Sequence, residues 1–354
     1  MQAAAGTIVS VLPARASTEA SLGQTAAAHG LLYGAAVGSD KLDSDQRYAS
    51  LVGRQARLLV AEGETKRKAM QPTPTRFDFH GTDRILAFAQ ANGQQMRGHT
   101  LAWYQGNPDW LTAALSEANP SERLLTDYVQ AVVGRYRGRF TSWDVVNEPV
   151  SPDQGDPNGM RRDNIWFKAF GERHIDLAFN AAHDADPSVP LFLNELNCEA
   201  DVRWSAKIRS AALNLVDRLI ARKVPISGFG VQGHLKAFRV SYSDRVISDF
   251  LDELGARGLK VLITEFDIAD IEGPDDQTRR DAEIASLAKR FLDVAFSKPF
   301  VQGCLTWGIS DRYSWLSQYP QYKWPDGRLS RGLPFDDQYL PTPMFAAMQS
   351  AFQR

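Results

Sequence analysis

Two glutamates carry the strongest chemical signal in the chain: Glu148, closing the run TSWDVVNEP, and Glu265, closing KVLITEFD. Each ends an apolar, β-rich stretch, so each carboxyl is expected at the tip of a buried strand. Two carboxyls facing one cleft suit hydrolysis of a glycosidic bond. One gives a proton to the leaving oxygen, and the other, ionised, attacks the anomeric carbon. The competing reading makes each glutamate the partner of a nearby Arg or Lys. Their shared position at strand ends beside tryptophans favours the catalytic reading. His99 and His234 also fall at strand ends, where histidines can bind zinc. No HxH or HExxH spacing is present and the chain has 6 His, so no metal site is expected. Each histidine is expected instead to set the charge of a carboxylate neighbour through a hydrogen bond. Trp307 and Trp315 offer flat faces on which a sugar ring can stack, with core packing the competing role for Trp307.

These residues need a frame that brings distant segments to one rim. From residue 31 onward short apolar runs alternate with helix-period segments. The strand candidates begin at Leu31, Ala56, Gln95, Thr141, Pro190, Gly228, Lys260 and Val301. They recur roughly every 40 residues, the length of a βα unit with a decorated loop. Between them, segments such as SERLLTDYVQAVVGRYRGR place Leu124, Leu125, Tyr128, Val132 and Tyr136 on one helical face, with Ser121 as expected N-cap. Continuous apolar strand cores such as LFL and VLI suit parallel strands covered on both faces. Eight such units without a linker predict an α/β fold, a single-domain (β/α)8 TIM barrel over residues 29–354. A doubly wound open sheet is the alternative.

A barrel of this kind presents its site at the C-terminal ends of its strands. Those ends carry Glu62, Glu64 and Lys66, then His99 and Trp103, then Asn147 and Glu148. Asn194, Glu195 and Asn197 follow, then Gln232 and His234, Glu265 and Asp267, and finally Trp307, Asp311 and Trp315. Carboxylates, amides, imidazoles and indoles thus converge on one rim above apolar strand interiors.

Composition excludes several other classes. The 354 residues are 44% hydrophobic and 23% charged, with 40 Lys plus Arg against 42 Asp plus Glu, so nothing marks a nucleic-acid or membrane binder. Two cysteines, Cys198 and Cys304, are too few for a disulfide framework, and three strand positions between them predict free thiols. Residues 1–28 hold no steady period and are read as a tail or the remnant of an export signal. A secreted or periplasmic, monomeric protein is therefore expected.

The segments RGHTLAW, WDVVNEP, LFLNELN, GVQGHL, LITEFDI, TWGISDRYSW and LPFDDQYLPTPMF, in this order, resemble glycoside hydrolase family 10, the endo-β-1,4-xylanases. The resemblance spans about residues 30–352. It implies a (β/α)8 barrel, retention of anomeric configuration and no cofactor. Residue by residue, it implies Glu148 as acid/base and Glu265 as nucleophile. Asn147 would hold the sugar 2-hydroxyl, while His99, Gln232 and His234 would line the site of the reacting sugar. Lys66 and Glu62 would reach sugar hydroxyls on the non-reducing side, with Trp103, Trp307 and Trp315 as aromatic walls. A retaining pair should stand about 5–5.5 Å apart.

Departures gather at the second strand. Gly63 stands where the family usually has Asn, Thr65 where it has Met, and Arg67 where it has Trp. Beyond that strand, Tyr104 replaces a usual His and Leu196 a usual Tyr. The machinery matches while the glycone pocket is changed. The expected substrate is β-1,4-xylan, with another β-glucan or an acidic bacterial exopolysaccharide as alternative, or a catalytically weak sugar-binding barrel. Arg67 is expected at that pocket as a partner for a sugar carboxylate.

Overall fold

The computed structural model describes residues 20–354. Among the described residues nine strands are present: β1 Leu32–Val37, β2 Leu58–Ala61, β3 Gln95–Ala102, β4 Trp143–Asn147, β5 Leu191–Glu195, β6 Gly228–Val231, β7 His234–Lys236, β8 Lys260–Ala269 and β9 Val301–Thr306. All pairings among them are parallel, in the order β6-β5-β4-β3-β2-β1-β9-β8, and β6 pairs with β8 to close the ring. Eight staves therefore form the (β/α)8 barrel. β7 is a short outward continuation that pairs His234 with Asp267 on the far end of β8. The single run expected from Gly228 is thus broken at Gly233, whose φ of 79° is open to glycine and whose N–H is taken by the Glu199 carboxylate at 2.7 Å.

Alternation along each strand divides the side chains between two cores. On β2, Leu59 and Ala61 face outward into the large cluster shared with the helices. Leu58 and Val60 face inward and meet Ala36, Phe192, Leu262 and Leu305 inside the barrel. The barrel interior is not wholly apolar, as had been expected. Arg97 is buried there, bidentate on Asp144 at 2.6 and 2.8 Å, and its guanidinium lies 5.7 Å from the Phe192 ring. A charge pair costs least in such a place when its geometry is bidentate and its remaining lone pairs are used, and Asp144 also bonds His99.

Two local expectations are corrected. Residues 20–28 belong to the folded body, whereas residues 1–19 of the expected tail lie outside the described residues. Ser21 and Gln24 form a capping box that starts the helix Leu22–Ala28, and Leu22 and Ala26 enter the core. The S-x-x-Q spacing was the signal for it. The helix expected from Ser121 begins at Arg123 behind an already helical Glu122, though Ser121 still accepts the Arg123 N–H at 3.3 Å. Cys198 and Cys304 are both buried and free. Among the described residues, no helix is long and apolar enough to cross a membrane.

Candidate active site

The strand tips enclose a cleft of about 220 Å³ lined by Lys66, His99, Trp103, Tyr104, Asn147, Glu148, Leu196, Gln232, His234, Glu265, Trp307 and Trp315, with Gln105, Tyr319, Gln321 and Tyr322 from loops. Of the residues expected to bind or transform substrate, ten line it, and Glu62 and Arg67 do not.

Glu148 lies one residue past β4 at a φ of 54°, the left-handed region that costs a non-glycine residue about 1 kcal/mol or more. The kink is held from several sides. Glu148 N–H donates to the Asn194 carbonyl at 2.8 Å, and Arg161 Nε donates to the Glu148 carbonyl at 2.9 Å. Val150 N–H donates to Glu195 at 3.1 Å. Its side chain receives Asn147 Nδ2 at 3.1 Å and Gln232 Nε2 at 2.9 Å, both on Oε1. Oε2 has no hydrogen-bond partner among the described residues.

Glu265 is surrounded differently. Asn194 Nδ2 donates to Oε1 at 2.7 Å, His234 Nε2 stands 3.2 Å from Oε2, and His99 Nδ1 lies 3.9 Å from Oε1. Burial alone would raise this carboxyl. The neighbouring His99 and His234 rings, with the bonds from His234 and Asn194, outweigh it and hold the group at about 2. For His234, burial opposes a charged ring, but Asp267 on Nδ1 and Glu265 on Nε2 raise it to about 10. Asp267 is fixed in turn by the Trp315 indole at 2.5 Å.

A chain of amides joins the two carboxyls. Asn194 Nδ2 also donates to Asn147 Oδ1 at 2.7 Å, and Thr264 Oγ1 donates to Asn194 Oδ1 at 2.7 Å. Asn194 can come this close because residue 230 is glycine: a Cβ there would stand 2.1 Å from Asn194 Oδ1. Asn194 was read as a strand end without a role. Only the register of β4, β5 and β6 puts it between the two carboxyls.

The walls are aromatic. Trp307 meets the His99 ring edge-on at 5.2 Å, and Trp315 lies 5.0 Å from the His234 ring, with Tyr319 and Tyr322 each edge-on to it at 5.0 Å. These tyrosines lie in an irregular loop and left no periodic trace in the sequence. Lys66 reaches between Trp103 and Trp307, 4.8 and 5.8 Å from their rings. Tyr104 has Arg161 over its ring at 4.2 Å, and burial together with nearby Glu148 pushes its hydroxyl up to about 12.

Several rim residues do other work. Glu62 is paired with Lys41 at 2.6 Å. Glu64 accepts Ser39 N–H at 2.5 Å, and Glu195 binds the Val150 and Leu196 amides. Asp311 is buried and accepts Leu333 N–H at 3.0 Å. Arg67 overturns its expectation: it is 3% exposed and absent from the cleft. Its guanidinium sits 4.2 Å from the Tyr128 ring and within 5.5 Å of Trp110 and Trp166, with Gln71 as hydrogen-bond partner at 2.9 Å. It fills the place of an apolar plate instead of facing a sugar.

The family model Glycosyl hydrolase family 10 matches residues 21–351. The chain belongs to this family. It is 33% identical to a β-1,4-xylanase of Dictyoglomus thermophilum over 84% of this chain and 82% of that protein. It is 32% identical to a thermostable celloxylanase of Thermoclostridium stercorarium, over 85% and 80%. Among solved structures it resembles xylanase 10B of Thermotoga petrophila in complex with xylobiose, with TM-score 0.85 and 26% identity, over 95% of this chain and 98% of the other. Xylanase B of Clostridium stercorarium superposes with TM-score 0.82 at 30% identity, over 93% and 99%. The family and the barrel expected from the strand-end motifs are thereby established.

Proposed function

We propose that this glycoside hydrolase is a retaining endo-β-1,4-xylanase in which Glu148 is the acid/base and Glu265 the nucleophile. One observation carries the assignment: the two carboxyls are solvated by opposite kinds of neighbour. Glu265 has a hydrogen-bond partner on each oxygen, the Asn194 amide on Oε1 and the His234 ring on Oε2, which suits an ionised nucleophile. Glu148 has both donors on Oε1, which leaves Oε2 to carry a proton toward the cleft.

In the first step Glu265 attacks the anomeric carbon while the Glu148 proton passes to the departing glycosidic oxygen. In the second, Glu148 takes a proton from water, whose oxygen displaces the Glu265 ester. Asn147 lies between both groups and is placed to bind the hydroxyl beside the reacting carbon. Trp307 and Trp315 give the ring faces, and Lys66 the hydroxyl contact on the non-reducing side. The relatives' printed activities on xylan, and the xylobiose complex of one of them, support xylan as the polymer.

Hydrolysis of xylohexaose tests the reading. Glu265→Ala should lower kcat by roughly 10⁴-fold or more, with azide restoring turnover and giving product of inverted configuration. Glu148→Ala should keep far more activity on an aryl xyloside with a good leaving group than on xylohexaose. Turnover of xylohexaose by Glu265→Ala at the wild-type rate would overturn the assignment.

A further inference from the structure

Next to the cleft residue Leu196 stands a small group of residues that the chemistry above does not use. His234 and Lys236 share one face of β7, since alternate residues of a strand point the same way, and Lys236 stands about 7 Å farther from the barrel floor. His234 faces Glu265, so Lys236 extends the same wall outward. Its Nζ is 3.5 Å from Asn197 Oδ1, and Asn197 follows the cleft residue Leu196 in a left-handed conformation with φ 61°. The ammonium lies 5.4 Å from the ring centroid of Trp204, at the start of the helix Arg203–Ala221.

This cation is unusual in its surroundings. Among the described residues no carboxylate forms an ion pair with it, whereas its neighbour Arg239 is paired with Glu272 at 2.8 Å. Glu199 is near, but its carboxylate is committed to the Gly233 N–H. Burial pulls the Lys236 ammonium below its usual value, and nearby Glu199, which forms no ion pair with it, offsets that pull only in part. An indole under an ammonium fixes its direction and leaves its hydrogens for an outside acceptor. Because β4 carries Glu148 and β5 is its neighbour, a sugar seated past Leu196 is on the side that departs with the proton.

We propose that Lys236, held over Trp204 at the lip of the cleft, forms a subsite for a carboxylate-bearing sugar on the leaving-group side of the cleaved bond. The subsite rests on the catalytic reading above for its orientation. It returns a cation to acidic-sugar recognition at a place other than Arg67.

The test compares a β-1,4-xylo-oligosaccharide bearing one glucuronosyl group with the same chain bearing a neutral glucosyl group. Wild type should favour the acidic chain in kcat/KM by about tenfold at low salt, with the advantage shrinking as salt rises. Lys236→Met should erase the advantage and leave the neutral chain within twofold, and Lys236→Arg should retain most of it. Equal rates on the two chains in wild type, or an advantage that survives in Lys236→Met, would overturn the subsite. If neither chain is cleaved, the catalytic reading fails separately. Calorimetric binding of both chains then decides: tighter acidic binding that Lys236→Met removes supports the subsite, and equal binding overturns it.

Discussion

Two lysines, Lys66 in the cleft and Lys236 beside its rim residue Leu196, each lie over an indole, yet the molecule uses their neighbourhoods in opposite ways. On the β2 flank Lys66 lies between two tryptophans inside the cleft. Glu265, Glu62 and Glu148 pull against the loss of charge that its burial favours. The next residue, Arg67, turns away into a box of rings. On the β5–β7 flank Lys236 has Trp204 beneath it and no carboxylate partner among the described residues. A cation's role is therefore set by the groups that surround it. Residue type and closeness in sequence do not decide it, since Lys66 and Arg67 are consecutive and one touches the cleft while the other does not.

The comparison can be broken first at Lys66. Its loss in Lys66→Met should lower kcat/KM by about 100-fold on neutral and acidic chains alike, because charge-assisted bonds to sugar hydroxyls are lost on both. An effect confined to acidic chains would merge the two flanks. Next in size is Asn194→Ala, which removes a donor from ionised Glu265 and should lower kcat/KM about tenfold near neutrality. The lost bond favoured the charged form, so the acid limb of the pH profile should move up by about one unit. An unmoved limb would separate Asn194 from Glu265.

His234 should show itself in stability. Its folded value of about 10 lies above the ordinary 6.5, so its contribution is complete below pH 6.5 and disappears as pH rises through about 10. Thermal melts over that window should converge for wild type and His234→Gln, and parallel curves would contradict the imidazolium. The smallest effect belongs to Arg67. Arg67→Met should cost about 1–2 kcal/mol in denaturant unfolding through lost ring contacts. Its kcat/KM on both chains should stay within twofold, and a change in acidic preference would return Arg67 to the cleft.

Much of this was legible in order and type. Strand-end motifs carried the barrel, both carboxyls and the residues that touch them, because a buried parallel strand is a continuous apolar run whose polar terminus is conspicuous. The break at Gly233 was less visible, since a glycine between two strand-like runs reads as well within one strand. Tyr319 and Tyr322 were missed because their loop has no period. Arg67 was misplaced because a substitution in a motif says which side chain has changed and not which way it points.

The amino-acid sequence by itself determined the βα alternation, the family and the two glutamates, all properties of local pattern. Tertiary structure alone decided that Asn194 bridges those glutamates, that Arg67 faces a core and that Lys236 stands over Trp204. Each of these depends on register between strands and on which neighbours occupy the space around a side chain. Such distances are set only when segments far apart in the chain close the barrel.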